Sequence, residues 1–363
     1  MTELRSTTVV YVAPAAGRSG VGDYADDVVE AIRPHVAGVR EYRITSDGSE
    51  TVRTVMADVR AIRQLVTDAS NSGPVVVHFE QSAGSLAAFW GSFLPRHVPV
   101  TATVHDAPQP VWWPWRTRLL MRYRLLHHLM HYPFRVVTNF LQRKSTDGRI
   151  VFALTGIGAQ NLGARHPGTD ARATRIHIPK RRELIDITER PVAVGMFGHV
   201  YKGKGFDLLG GLRERLPAHI GIVAAGRGTE QLDPVNGVTV LGEVNDEDED
   251  KFFESIRLLV VPYSKNNRYG KAWIASSAVS RSFAYRTPIV CILDGALGEV
   301  VAEGGAVGVE GGLDALARRI AQVVEDTETL RGLGAAVDDL RTARTTERCV
   351  APLLDAWAEL AAR

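Results

Sequence analysis

The run GHVYKGKGFD, from Gly198 to Asp207, gathers residue types that bind anions. Glycines at 198, 203 and 205 leave backbone N–H groups open to a ligand, and Lys202 and Lys204 add positive charge. An apolar run, Val192 to Phe197, precedes the loop, and a helical pattern begins at Phe206. Amides and a helix dipole at such a strand–loop–helix junction favour an anion, a diphosphate above all. Gly198, Gly203 and Lys204 meet the spacing of a phosphate-binding P-loop, but Gly205 stands where Ser or Thr would hold magnesium, which disfavours an NTPase. The loop GRSGVG repeats the device near the N-terminus, after the apolar run Thr8 to Val12. Its glycines, 17, 20 and 22, do not fit G-x-G-x-x-G, which disfavours nicotinamide chemistry. Their density points to close approach of backbone to a ligand around Gly20 and Gly22.

Other polar candidates sit at strand ends. His105 and Asp106 directly follow the run Val100 to Val104, and His78 and Glu80 close the run VVVHFEQS. If that strand continues to Glu80, strand alternation places His78 and Glu80 on one face. The chain is also locally cationic. No Asp or Glu occurs between Asp106 and Asp147, while Arg116, Arg118, Arg122, Arg124, Arg135, Arg143 and Lys144 do. Trp112, Trp113 and Trp115 lead into this stretch, and Leu119, Leu120, Leu125, Leu126 and Leu129 run through it. Two readings compete: a segment over 112–144 lying on an anionic membrane surface, and a core helix with a basic exposed face. The acidic run NDEDED reads as a structural feature, a capping box of Asp246 and Glu249 ahead of Phe252.

These residues need strands and helices to position them. Buried-type strands are expected at Thr8–Val12, Val75–Phe79, Val100–Val104, Val192–Phe197, Ile220–Ala224, Val238–Leu241, Leu258–Val261 and Ile289–Leu293. Helical patterns alternate with them, starting near Asp23 in the first case, as in an α/β protein with parallel sheets. The chain has 363 residues, 45% hydrophobic and 23% charged, which suits two ordinary soluble domains. The segment Arg172–Arg190 reads as their linker, giving domains at 1–180 and 191–345 and a C-terminal helix at 346–363 that packs back on the first. Facing doubly wound domains would form a cleft at the carboxyl ends of their strands. A net charge of +2 argues against a nucleic-acid partner. Cys291 and Cys349 are the only cysteines, so a disulfide framework and a Cys-rich zinc site are excluded. No apolar run approaches the roughly 18 residues of a membrane span. A cytoplasmic protein, with peripheral attachment to the inner face of the cell membrane as an option, is the expectation.

The motifs together resemble family-4-type glycosyltransferases (glycosyl transferases group 1) of the GT-B fold, over most of the chain and least across 107–190. GHVYKGKGFD is similar to the family's G-R-x4-K-G-x-D loop, with Gly198, Lys204, Gly205 and Asp207 matching and His199 in the arginine's place. GVGDY, Gly20 to Tyr24, resembles the family's N-terminal glycine loop, and TVHD, Thr103 to Asp106, its histidine-bearing strand end. Gly242, Pro262 and Ser264 match further landmarks, as does the run GRG from Gly226 to Gly228. The resemblance implies a nucleotide-diphosphate sugar as donor, a glycan, lipid-linked or small-molecule hydroxyl as acceptor, retention of anomeric configuration, and no cofactor or divalent metal. It assigns catalysis to His105 and Lys204. Donor contacts fall to Gly20, Gly22, His199, Lys204, Ser276, Ser277, Arg281 and Glu299, and acceptor-side positions to Tyr24, His78, Glu80 and Asp106. One departure stands out. The family's paired glutamates, eight positions apart, fall here on Trp273 and Arg281, so Ser276, Ser277, Arg281 and Glu299 enter as substitutes. That departure keeps two alternatives open: a non-catalytic nucleotide-sugar binder, and a nucleotide-sugar epimerase with His78 and Glu80 as its acid/base pair.

Overall fold

The computed structural model describes residues 4–17, 19–45, 50–82, 84–123, 133–201, 203–263 and 275–362. Arg124, Leu125, Leu126 and Leu129 of the basic stretch, Lys202 of the glycine loop, Ser264 and Trp273 lie outside them. Two compact units result. Met1–Arg175 and Thr346–Arg363 belong to the first, and Ile176–Lys271 with Ser276–Thr345 to the second.

The first unit runs β1 (Thr8–Pro14), α1 (Gly20–Ile32), β2 (Gly38–Ile44), α2 (Val52–Ser70), β3 (Val75–Gln81), α3 (Leu86–Gly91), β4 (Val100–Val104), α4 (Arg118–Arg122), α5 (Arg135–Thr146), β5 (Ile150–Ala153), α6 (Gly156–Arg165) and β6 (Asp170–Ala173). Its six strands are parallel in the order β2-β1-β3-β4-β5-β6. Parallel strands must be buried on both faces, which the composition of β1 and β3 supplies: Val10, Val12, Val77 and Phe79 pack with Ile62 and Val66 of α2.

The second unit runs β7 (Ala193–Phe197), α7 (Leu209–Arg215), β8 (Gly221–Ala225), β9 (Val238–Gly242), α8 (Glu247–Glu254), β10 (Leu258–Val261), α9 (Ser277–Ala284), β11 (Ile289–Ile292), α10 (Leu297–Ala302), β12 (Ala306–Val309), α11 (Leu313–Val324) and α12 (Thr327–Ala343). Its parallel order is β12-β11-β10-β7-β8-β9. Leu209, Leu212, Leu316 and Ile320 belong to one core cluster, and Phe252, Phe253, Phe283 and Ile289 to another. In each sheet the chain reverses its direction of travel once, beside β1 and β3 in the first and beside β7 and β10 in the second. Such switch points are where doubly wound sheets bind ligands.

The last helix, α13 (Thr346–Ala361), packs on α1 and β3. Its Trp357 is wholly buried, Thr174 Oγ1 donates to Cys349 O at 2.7 Å, and Arg172 pairs with Glu359 at 2.8 Å.

The chain passes between units at 175/176, within the segment Arg172–Arg190, and much of that segment is packed: Ile178, Ile187 and Arg190 are buried. Two local expectations need correction. Asp246 makes no side-chain cap, because its backbone has φ 48°, and Glu249 is drawn to Arg281 and Arg181 instead. Helix α1 begins at Gly20, not near Asp23, because Ser19 caps it. Strands β2, β5, β6 and β12 have no counterpart among the expected strands. β2 and β6 are edge strands with charged residues and little full burial, so the apolar signal is weak.

Candidate active site

At the second switch point the chain leaves β7 through the glycine loop and leaves β10 through Pro262 and Tyr263. Gly205 has φ +85°, and a Cβ there would stand 2.5 Å from Pro262 Cγ and 3.0 Å from Pro262 O. Only glycine lets the loop lie against Pro262, and this contact carries Lys204 onto Tyr263. Lys204 Nζ donates to Tyr263 Oη at 2.7 Å and lies 4.1 Å from the centre of its ring. Tyr201 offers a second ring at 5.4 Å. Tyr263 Oη is in turn 3.2 Å from Ser276 Oγ, which caps α9 by accepting from Val279 N. Burial works against the Lys204 ammonium, but Tyr263 and Tyr201 outweigh it and hold its pKa above the ordinary lysine value. The product is a buried, protonated cation at a strand end, beside a helix N-terminus.

The other donor candidates of this unit are placed differently. His199 is exposed. Ser277 opens α9, and Glu299 lies half-buried in the first turn of α10. Arg281 sets its guanidinium beside Glu249 of α8, Nε to Oε1 at 3.4 Å.

In the first unit, Gly17 N donates to Asp23 Oδ1 at 2.8 Å, and Gly22 N is used by Ser19, whose carbonyl lies at 2.9 Å. A Cβ on Gly22 would stand 2.2 Å from Ala15 O. Gly22 is therefore glycine to let the helix start press on the end of β1, and its amide is not available to a ligand. Gly20 stands one position after the cap.

The polar strand ends form one network. Strand β3 does continue past Phe79, so His78 and Glu80 share a face, as alternation requires. His105 Nε2 meets Glu80 Oε2 at 2.6 Å. Glu80 Oε1 accepts from Tyr11 Oη and lies 3.2 Å from His78 Nε2. His78 Nε2 is also 3.1 Å from Thr103 Oγ1, and Nδ1 is 2.8 Å from Thr101 Oγ1. Trp357 Nε1 donates to that Thr101 hydroxyl at 2.9 Å. Tyr24 of α1 sets its ring edge-on to His105, 5.2 Å between centres at 85°. Glu80, His78 and Tyr11 are 0% exposed, while His105 retains 9%. Burial alone would push the Glu80 carboxyl up, but bonding to His105 and His78 outweighs it and holds the pKa at about 2. Burial and the Glu80 charge push the Tyr11 and Tyr24 phenols well up, so both stay protonated. Asp106, half-buried, opens the turn that follows, with Gln109 N donating to its carbonyl at 3.2 Å. His105 is thus the partly open member of a buried carboxylate network.

The basic stretch divides. Trp113 is buried, while Trp112 and Trp115 are half-buried, Trp115 packing on Trp90 at 5.3 Å between rings. The aromatic lead-in is therefore at least partly taken up by the fold. Helix α5 is inside out. It buries Thr138, Gln142, Ser145 and Thr146 while Val136 and Phe140 stand 76% and 62% exposed. Arg135, Arg143 and Lys144 are exposed on the same helix.

No protein-family model matches the sequence, and no curated protein matches it by sequence. Solved structures do match it in shape. A glycosyltransferase from Rickettsia africae is 12% identical, with 98% of each chain covered and a TM-score of 0.66. The Anabaena protein HepE, solved in complex with UDP and glucose, is 14% identical over 96% of this chain and 99% of that one, with a TM-score of 0.65. The fold is GT-B. A Listeria monocytogenes protein whose name proposes a UDP-N-acetylglucosamine 2-epimerase is 12% identical, with 98% and 97% covered and a TM-score of 0.58. In GT-B terms, Lys204 marks the switch point of the second sheet and His105 stands at a strand end in the first.

Tyr263, Tyr11, Thr101 and Trp357 are members of these clusters that sequence reasoning does not single out. Tyr263 follows a landmark proline, which is a usable signal. Tyr11 sits within a wholly apolar strand, and Trp357 lies 256 positions from its partner Thr101, so neither carries a local signal. Among the described residues, no group of three or more His, Cys, Asp or Glu side chains could hold a metal ion, and no helix is long and apolar enough to cross a membrane.

Proposed function

We propose that this chain is a glycosyltransferase of the family-4 type that moves a sugar, with retention, from a nucleoside-diphosphate donor to a hydroxyl acceptor. The observation that carries the reading is Lys204: a buried ammonium, held by two tyrosines, at a switch point of a fold whose similar structures include one in complex with UDP and glucose. In the transition state the bond from the anomeric carbon to the diphosphate breaks and negative charge builds on the leaving oxygens. A fixed cation in a dry site stabilises that charge with little reorganisation. Lys204 supplies the positive charge that a divalent metal supplies elsewhere. Ser276 and Tyr263 offer hydroxyls beside it, and His105 engages a hydroxyl of the sugar or acceptor. Thermal shift against a panel of nucleoside-diphosphate sugars, followed by an assay for release of the nucleotide, tests this. Stabilisation by one donor with release of its nucleotide is expected, and a panel without any stabilising donor would sink the reading.

The non-catalytic alternative draws support from Arg281, which occupies one glutamate slot and is tied to Glu249. A donor bound but never turned over would favour it. The epimerase alternative loses its acid/base pair, because His78 and Glu80 are wholly buried.

The inside-out helix α5 supports contact with an anionic membrane surface, on which lipid-linked acceptors are displayed. Val136 and Phe140 would enter the interface while Arg135, Arg143 and Lys144 meet lipid phosphates. We expect co-sedimentation with phosphatidylglycerol vesicles at low salt, weakened about tenfold or more by Val136→Ser with Phe140→Ser. Absence of binding at low salt would remove this part of the proposal.

A further inference from the structure

The network around Glu80 decides which nitrogen of His105 faces a ligand. Glu80 is an ionised, acceptor-only group at neutral pH. Its Oε1 takes the Tyr11 hydroxyl and faces His78 Nε2, and its Oε2 lies 2.6 Å from His105 Nε2. A contact that short to a carboxylate requires the hydrogen to sit on Nε2. In the neutral imidazole the other nitrogen, Nδ1, then carries a lone pair and no hydrogen. Nδ1 makes no hydrogen bond to a described residue. The ring cannot easily swing away, because Tyr24 packs edge-on against it from α1. Glu80 is itself buried and held on several sides. Tyr11 of β1, His78 of its own strand and, through Thr101, Trp357 of α13 fix its surroundings.

We infer that Glu80 is a positioning residue that locks His105 in the Nε2–H tautomer, so that Nδ1 is presented as a hydrogen-bond acceptor to a substrate hydroxyl. The role of His105 rests on the transfer reading above, but its tautomer does not. The chemistry selected is specific: the partner must be an O–H or N–H donor, not a carbonyl or phosphate oxygen. The proton stays shared between the hydroxyl and Nδ1 and no covalent bond to the protein forms.

Nitrogen-15 spectra of histidine-labelled protein, with His105 assigned through His105→Gln, read the tautomer without substrate. The expected result, read as a function of pH, is a protonated Nε2 and a bare Nδ1 in the pH range of activity; the reverse pattern, or a ring protonated on both nitrogens throughout that range, overturns the proposal. Glu80→Gln keeps the shape of the side chain and removes its charge. We expect that variant to lose about 100-fold in kcat, with the donor KM changed far less, and to show mixed tautomers at His105. A folded Glu80→Gln protein with wild-type kcat and an unchanged His105 spectrum overturns the positioning role. If Glu80→Gln fails to fold, the wild-type spectrum decides. If no donor is ever turned over, the transfer reading fails while the tautomer is still scored.

Discussion

Lys204→Met is expected to lower sugar transfer by about 100- to 1000-fold, the loss associated with removing one well-placed group that stabilises transition-state charge. Methionine is close in length and shape, so the change isolates the charge. The glycine loop keeps its seat on Pro262, since that contact belongs to Gly205. Tyr263 loses one hydrogen-bond partner but keeps Ser276 at 3.2 Å, so the melting temperature should move little. Nucleotide binding should weaken as well, because the ground-state diphosphate is already charged. The kcat term should fall further than binding if charge grows on the leaving group. Lys204→Arg is not expected to rescue, because the slot between Tyr263 and Tyr201 fits a compact ammonium and a guanidinium is broader and planar. Steady-state transfer or donor hydrolysis, with thermal shift by UDP, measures all three quantities. Near-normal turnover in a folded Lys204→Met protein would defeat the diphosphate role.

Arg190→Met should destabilise the second unit by about 3 kcal/mol or more through the buried acceptors it leaves unpaired, a large share of the 5–15 kcal/mol typical of a folded domain. Arg190 is 2% exposed, and no carboxylate is among its hydrogen-bond partners. Its guanidinium donates to the carbonyls of Ile185 at 3.1 Å, Phe253 at 3.0 Å, Ile256 at 3.4 Å and Tyr285 at 3.1 Å, and to Thr287 Oγ1 at 2.8 Å. Burial lowers its pKa to about 10, which still leaves it charged at neutral pH. These carbonyls end α8 and α9 and the segment entering β7, so one side chain ties three backbone pieces together. Methionine fills much of the volume and satisfies none of them, and each buried acceptor left unpaired costs about 1–3 kcal/mol. Arg190→Lys has fewer donors and no fork, and should fall between the two. Urea unfolding followed by near-ultraviolet circular dichroism would report the change. A loss below about 1 kcal/mol would show that solvent or rearrangement replaces the clamp.

Most of the strand framework was legible because parallel strands are buried on both faces and so read as continuous apolar runs. Val100–Val104 and Leu258–Val261 fall where the apolar runs place them. The edge strand β2 did not, since Arg40, Glu41 and Arg43 leave no such run. Charge-rich segments were only partly legible. Arg172–Arg190 holds the passage between the units, but sequence reports Arg190 as polar and cannot report the carbonyls that surround it. Asp246 and Glu249 had the spacing of a capping box, but Arg281 and Arg181 compete for Glu249 and the backbone at Asp246 takes a conformation incompatible with capping.

The candidate site shows the same division. Local sequence was enough to mark the glycine loop with Lys204, the β1–α1 turn and the His105 strand end, because each depends on a strand–turn–helix pattern within about ten residues. It was enough, too, to disfavour a magnesium P-loop at Gly205 and to record that the glutamate slots hold Trp273 and Arg281. Tertiary structure alone decided which partners those residues have. It turned Gly22 from a candidate ligand amide into a packing contact with Ala15 and gave Arg281 to Glu249. It set Lys204 on Tyr263 and made Glu80 a buried partner of His105. The physical reason is that hydrogen-bond partners and desolvation are set by residues distant in the chain, 59 positions for Lys204 and Tyr263 and 256 for Thr101 and Trp357. The residue types name the chemistry available, and packing determines which atoms remain free to perform it.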